Sequence, residues 1–312
     1  MAITAAVVKE LREISGAGMM DCKKALNETN GNIEEAVEYL RKNGQAKAEK
    51  KAGRIAAEGL VRVLVQDDKA AIVEVNSETD FVAKNADFQA YVDAVAAQAI
   101  TSNSTDMDAF MAEAWVMDAG KTVKEALTEK ISIIGENLSI RRFEKITAVG
   151  GCVVSYLHGG GRIGVLVDAE ATVVNDAVKA ALTNVAMQIA ALSPRYVSQA
   201  EVSEEYKEHE KEILLEQAKL ENSQLPADKQ KPDAIIEKMI IGRLNKELKE
   251  VCLLDQAYVK DGELTVGKYL DAVSKEAGTK ITVKKFIRFE TGEGIEKKSE
   301  DFAAEVAAQM GQ

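Results

Sequence analysis

The sequence predicts an α+β protein built from several packing units, and three observations carry that prediction. A short amino-terminal stretch shows only helical periodicity interrupted by turn residues. Most of the remaining chain is an internal repeat of β-rich hairpin, amphipathic helix and strand, and one copy of the repeat carries a long charged insert of helical character. With 46% apolar residues in 312, the chain holds too much apolar material for disorder, while three prolines exclude a proline-rich linker. At 29% charged residues it is too polar for a membrane protein.

In the amino-terminal unit, Ala5, Val8, Leu11 and Ile14 recur at helical spacing over residues 4–14. Two further short helices are predicted over residues 21–27 and 32–42, the second with Ala36, Val37 and Leu40 on one face. Gly16-Ala17-Gly18 and Asn30-Gly31 separate the three as turn and helix-end signals. Residues 45–54 place Lys47, Lys50, Lys51 and Arg54 among alanines and are polar all round. They are expected to form a linker, helical or not, that closes a first unit at residues 1–54.

Self-comparison divides the next part of the chain into two copies, residues 55–149 and 150–290. Residues 59–75 match 151–167 without a gap at an offset of 92, pairing Gly59 with Gly151, Val61 with Val153 and Val73 with Val165. Each block is two β-rich runs around a turn, Gln66-Asp67-Asp68-Lys69 in one and His158-Gly159-Gly160-Gly161 in the other. Both are expected to be antiparallel hairpins. Residues 86–98 match 176–188 at an offset of 90, an amphipathic helix that aligns Gln98 with Gln188. The fall from 92 to 90 predicts a connection two residues longer in the first copy, where it reads Asn76-Ser77-Glu78-Thr79-Asp80-Phe81-Val82. A third pair, 121–143 with 264–286 at an offset of 143, is a helix leading into an alternating strand.

The jump from 92 to 143 assigns about 51 extra residues to the second copy, between roughly 195 and 255. From 201 to 250 there are 13 acidic and 9 basic residues, too many for a core element. Apolar residues still recur at helical spacing: Tyr206, Ile213, Leu214 and Leu220 in one half, Ile236, Ile240, Leu244, Leu248 and Val251 in the other. Pro226 and Pro232 break the centre, so a coiled-coil-like helical hairpin is expected to project from the core, with a helix pair lying flat on the core as the other reading. Its apolar stripes allow pairing with a second copy of the chain or contact with another partner. Thr291-Gly292-Glu293-Gly294 signals a turn, and residues 300–310, with Phe302, Val306 and Met310 on one face, are expected to be a last helix in a carboxy-terminal module at 291–312.

Composition and motifs narrow the function classes. With 40 basic against 51 acidic residues and no basic cluster of useful size, direct nucleic acid binding is not expected. Cys22, Cys152 and Cys252 lie far apart and only His158 and His209 could join them, so neither a metal site nor a disulfide framework is expected. No signal peptide or transmembrane run is seen, which makes the cytoplasm the expected location. Phosphate-loop, dinucleotide and nucleophile-elbow motifs are missing, so the chain is expected not to be an enzyme and to need no cofactor.

Two features point to protein binding. Phe81 follows two acidic side chains in a loop whose counterpart reads Ala171-Thr172-Val173-Val174. Either Thr79 or Asp80 caps the following helix while Phe81 tucks into the core, or the loop is a protruding aromatic wedge. Met19 and Met20 sit at the Gly-Ala-Gly corner. Adjacent helical side chains diverge by about 100°, so at least one of the two should be exposed, with core and interface readings both open.

The segments Gly16-Ala17-Gly18-Met19-Met20-Asp21-Cys22-Lys23-Lys24-Ala25-Leu26, Thr79-Asp80-Phe81-Val82-Ala83-Lys84-Asn85, His158 with Gly161-Arg162-Ile163-Gly164-Val165-Leu166, and Phe286-Ile287-Arg288-Phe289-Glu290 with Gly294-Ile295-Glu296 resemble the bacterial translation elongation factor Ts family, in order and over the whole chain. The resemblance implies a ubiquitin-associated-like first domain, two repeated α/β subdomains, a coiled-coil protrusion and a carboxy-terminal helical module. It implies guanine nucleotide exchange on elongation factor Tu, bound in its GDP-loaded and nucleotide-free forms. It further implies that Thr79, Asp80, Phe81 and Val82 disturb the magnesium site of that GTPase, that Leu11, Met19 and Met20 dock on the same domain, and that His158 assists. The tip His158-Gly159-Gly160-Gly161-Arg162 is one residue longer than the His-Gly-Ala-Arg form associated with the family. A non-catalytic scaffold or chaperone-like binder is the alternative class.

Overall fold

The computed structural model describes residues 3–226 and 229–296; the helix expected over 300–310 lies outside them. Helices α1 (Ala5–Ser15), α2 (Met19–Glu28) and α3 (Ile33–Lys51) form the amino-terminal unit. Thr4 accepts a hydrogen bond from the amide of Val7 and Asn32 from those of Glu34 and Glu35, while Gly16, at φ 66°, ends α1 in the left-handed region. Leu11, Cys22, Ala25, Leu26 and Ala36 are fully buried between the three. Two boundaries differ from expectation. Helix α2 begins at Met19, and α3 continues through the expected linker to Lys51. From Arg41 onward it gains tertiary partners that a polar sequence does not advertise: Arg41 pairs with Glu125, Gly44 lies against Ser132, Ala48 packs on the core of the first copy, and Lys51 donates to the Gly135 carbonyl.

The first copy runs β1 (Glu58–Gln66), β2 (Lys69–Ser77), a single turn α4 (Asp80–Ala83), α5 (Ala86–Thr101), α6 (Met107–Ala112), β3 (Ala114–Trp115), β4 (Asp118–Thr122), α7 (Val123–Ile134) and β5 (Ser139–Thr147). The second runs β6 (Gly151–His158), β7 (Ile163–Glu170), α8 (Asp176–Leu192), the inserted α9 (Glu204–Ser223) and α10 (Asp233–Val251), then β8 (Ala257–Tyr258), β9 (Asp261–Thr265), α11 (Val266–Ala277) and β10 (Thr282–Glu290). Each copy makes an antiparallel sheet with its hairpin's second strand in the middle, β1-β2-β5 and β6-β7-β10.

Strand alternation gives each sheet two apolar faces. Ala71, Val73 and Val75 of β2 pack with Phe88, Val92 and Val95 of α5; Val165, Val167 and Ala169 of β7 pack with Leu182, Val185 and Ile189 of α8. The intervening residues point the other way and meet across the molecule, where Val61, Ile72 and Ile146 contact Val153, Leu166, Ile287 and Phe289. The repeat extends to buried polar groups. Gln98 donates to Glu113 at 2.9 Å and accepts from the Val116 amide at 2.6 Å; Gln188 donates to Gln256 at 3.2 Å and accepts from the Val259 amide at 2.8 Å.

Strand register corrects the gapless hairpin alignment. Gln66 faces Lys69 across a two-residue turn, whereas His158 faces Ile163 across the four residues 159–162. Val73 and Val167, 94 positions apart, occupy equivalent places opposite Phe143 and Phe286, while the capping residues Asn85 and Asn175 are 90 apart. The first copy's connection is therefore four residues longer, not two. A two-residue slip leaves every side chain on its own face, so the alternating pattern did not expose it.

The arm buries Leu214, Ala218, Ile236 and Ile240 between its own two helices, as a projecting hairpin requires. Leu220, expected on that seam, is 63% exposed. At its root, Tyr196 bridges to Cys252, and Val202, Leu248 and Cys252 are buried with Tyr206 packed against them.

Candidate functional site

Strand β2 ends at the buried Ser77, whose hydroxyl donates to the Thr79 carbonyl at 3.0 Å. The amides of Glu78 and Thr79 both donate to one oxygen of Glu136 at 3.1 Å, and the Thr79 hydroxyl donates to the other at 2.7 Å. Glu78 in turn accepts from the Asn137 amide at 2.6 Å and pairs with Arg54 at 3.4 Å. Thr79 also caps α4, accepting from the Val82 amide at 3.3 Å, and Asn85 caps α5 directly afterwards. The chain between strand and helix is thus held at nearly every residue.

On this frame the helical turn sends successive side chains in different directions. Val82 packs on the first copy's core and Ala83 is buried, while Phe81 is 79% exposed. Of the two sequence readings, capping by Thr79 holds and burial of Phe81 does not. Lys84 Nζ lies 2.6 Å from Asp80 Oδ2, and this hydrogen bond holds the exposed carboxyl below its ordinary value, so Asp80 is ionised at neutral pH. An exposed aromatic on a fixed turn has little freedom left to lose on docking.

The second copy shows what the added residues change. Thr279 stands where Glu136 stands in the first copy, accepting from the Val173 amide at 3.2 Å and sharing a hydrogen bond with the Thr172 hydroxyl at 2.9 Å. Its short side chain braces a shorter connection that carries no aromatic. Glu136 went unnoticed in the sequence because its partners lie nearly 60 positions away. The only signal available was its alignment with a threonine at an otherwise matched place in the repeat.

The other expected site residues stand on different units. Met19 and Met20 open α2 and are 47% and 74% exposed, with Ile14 also exposed at the end of α1. Leu11, expected beside them at the surface, is fully buried, because it fills the centre of a three-helix core too small to spare it. His158 is exposed at the end of β6, and its Nδ1 shares a hydrogen bond with the Tyr156 hydroxyl at 3.0 Å. The turn after it is fastened to the first copy, since the Gly161 carbonyl accepts from the Val61 amide at 2.7 Å. Gly161 is required there: at φ 104° a Cβ would lie 2.9 Å from the Val61 carbonyl oxygen.

Among the described residues no group of His, Cys, Asp and Glu could hold a metal ion, and no helix is long and apolar enough to cross a membrane. The arrangement offers apolar and aromatic anchors on fixed backbone, the material of protein interfaces.

The chain matches the family model described as Elongation factor TS over residues 78–293, a span that begins at the Phe81 loop. It is 52% identical over 311 residues to the elongation factor Ts of Clostridium perfringens strain SM101 and 51% identical over 311 to that of Clostridium botulinum strain Eklund 17B. To that of Clostridium novyi strain NT it is 50% identical over 312 residues, and in all three cases 99% of each chain is covered.

Proposed function

The chain belongs to the elongation factor Ts family, and from that premise we propose that it is a guanine nucleotide exchange factor for elongation factor Tu, binding the GDP-loaded and nucleotide-free forms. The Thr79 to Val82 turn enters the GTPase beside its nucleotide, where Phe81 displaces structure that holds magnesium. Met19 and Met20 supply affinity, and His158 adds a contact from the second copy. Exchange of this kind makes or breaks no bond. It is a coupling free energy: if the partner conformation stabilised by this chain binds GDP more weakly, GDP weakens the complex by the same factor.

The single observation that carries the reading is Phe81, exposed on a capped and braced turn that only one of the two copies possesses. A scaffold that held the GTPase without exchange would not need it. Phe81→Ala separates the two. Because the ring is 79% exposed, its removal is expected to leave the melting temperature nearly unchanged, instead of costing the roughly 3 to 5 kcal/mol of a buried Phe. GDP release from elongation factor Tu, followed by stopped flow, is expected to slow severalfold or more. Release as fast as with wild type would remove Phe81 from the exchange machinery, and a wild type that failed to accelerate release would leave binding without exchange as the surviving reading.

A further inference from the structure

The Phe81 loop and the His158 turn belong to different copies, yet one short element touches both the His158 turn and the strand that leads into the Phe81 loop. Residues 291–294 form a turn after β10. The Thr291 amide donates to the Arg162 carbonyl at 2.9 Å and its hydroxyl to the Gly161 carbonyl at 3.4 Å, so the turn holds the His158 hairpin. The next amide, of Gly292, donates to Glu74 Oε1 at 2.8 Å, and Glu74 lies on β2 just before the strand gives way to the Phe81 loop. Gly292 has φ 72°, and a Cβ there would lie 2.1 Å from the Ala57 carbonyl oxygen, so the turn also presses on the residue leading into β1.

Glu74 has no exposed surface. Besides Gly292 it accepts from Arg142 Nε at 2.6 Å, Arg141 Nη1 at 3.0 Å and Asn76 Nδ2 at 3.1 Å. Both arginines reach on to the turn, Arg141 to the Glu293 carbonyl at 2.5 Å and Arg142 to Glu293 Oε2 at 3.1 Å. Burial pushes the Glu74 carboxyl up, but the Gly292 amide, Asn76 and Arg142 outweigh it and hold it below the ordinary value. A buried ion network of this kind is poorly explained by stability, since well-packed apolar residues often serve as well or better. The repeat supplies a control. Asp168 occupies the equivalent place on β7 opposite Lys285, but Lys285 pairs with Glu144 and Lys284 with Glu170, and among the described residues no turn amide reaches Asp168 as Gly292 reaches Glu74. The buried network exists in the copy that carries the Phe81 loop.

We infer that Glu74 and the 291–294 turn form a clamp that fixes the Phe81 loop and the His158 turn relative to each other, making Glu74 a positioning residue for exchange. The inference rests on the exchange reading proposed for the Phe81 loop. Its physical content is that two contacts presented at a fixed spacing act together on the partner, and misplacement by about 1 Å is enough to lose much of the effect.

The test uses full-length Glu74→Gln beside wild type and Phe81→Ala. In the free protein, amide hydrogen exchange is expected to quicken at residues 78–84 and 159–162 together. With elongation factor Tu, the maximal rate of GDP release is expected to fall about tenfold while the concentration for half-maximal effect moves less than about twofold, because the Met19-Met20 surface is untouched. Quickened amide exchange in only one loop, or a rate loss matching the unfolded fraction, would overturn the clamp. Should Glu74→Gln fail to fold, Thr291→Val removes only the hydroxyl, and unchanged protection in both loops of that variant would overturn it equally. If wild type itself did not accelerate GDP release, the exchange reading would fall, and the amide exchange result would still decide whether the two loops are coupled.

Discussion

Glu136 accepts hydrogen bonds from two amides and a hydroxyl just before Phe81, which makes it the main support of an exposed ring that it never touches in the chain. Glu136→Ala leaves those donors to water and is expected to cost about 1 to 3 kcal/mol of local stability. Amide exchange at residues 78–84 should quicken and GDP release should slow, though less than for Phe81→Ala; unchanged protection there would show that the loop holds itself. Glu113 makes a different point. Its burial acts to raise the pKa, but hydrogen bonds from Ser104, Ser102 and Gln98 hold it below the ordinary 4.5. The folded protein then binds this proton more weakly than the unfolded chain does. Its stabilisation is complete above about pH 4.5 and is lost as pH falls through the lower folded value. Glu113→Gln, which installs the residue found at Gln256 of the other copy, is expected to melt lower at pH 7 and to lose less on acidification. Thermal unfolding of both proteins at neutral pH and at about pH 3.5 checks this, and parallel curves would refute it.

At the scale of elements, the arm and α3 show opposite outcomes for charged helices. Helices α9 and α10 bury apolar residues against each other, so the arm carries its own small core and the first copy closes without any counterpart. Replacing residues 208–243 with a short turn is expected to leave the sheets folded with an unchanged melting profile. The cut stops short of the root because Val202, Tyr206, Leu248 and Cys252 pack there around the Tyr196 to Cys252 bridge. Collapse of the whole protein on such a deletion would mean that the arm stabilises the core. Helix α3, by contrast, has no apolar stripe in its second half, and its docking on α7 and the residue that caps it rests on small residues, one ion pair, Arg41 with Glu125, and one hydrogen bond from the Lys51 ammonium to the Gly135 carbonyl. Contacts through Gly44 and Ala48 leave no mark in hydrophobic periodicity, which is why this segment resembled a linker in the sequence.

Across the whole molecule, the two copies are joined face to face by the residues that alternate with those under the helices. Ile72, fully buried among Val61, Leu166 and Ile287, belongs to that joint. Ile72→Ala is expected to cost about 2 to 5 kcal/mol and to lower protection in both sheets at once; loss confined to the first copy would show that the copies unfold independently. Periodicity and self-comparison alone determined the three-helix start, the two copies, the inserted hairpin and the extra aromatic in one connection, because each is a pattern of residue types along the chain. Only the tertiary structure decided that Leu11 is wholly inside while Phe81 stands outside, since burial depends on what the fold brings against each side chain. It also decided the four-residue turn after His158, which a face-preserving slip concealed, the bracing of the Phe81 loop by Glu136, and the burial of Glu74 against Gly292, Arg141 and Arg142. Those partners are brought together by folding across long stretches of chain, and no local pattern of residues announces a contact of that kind.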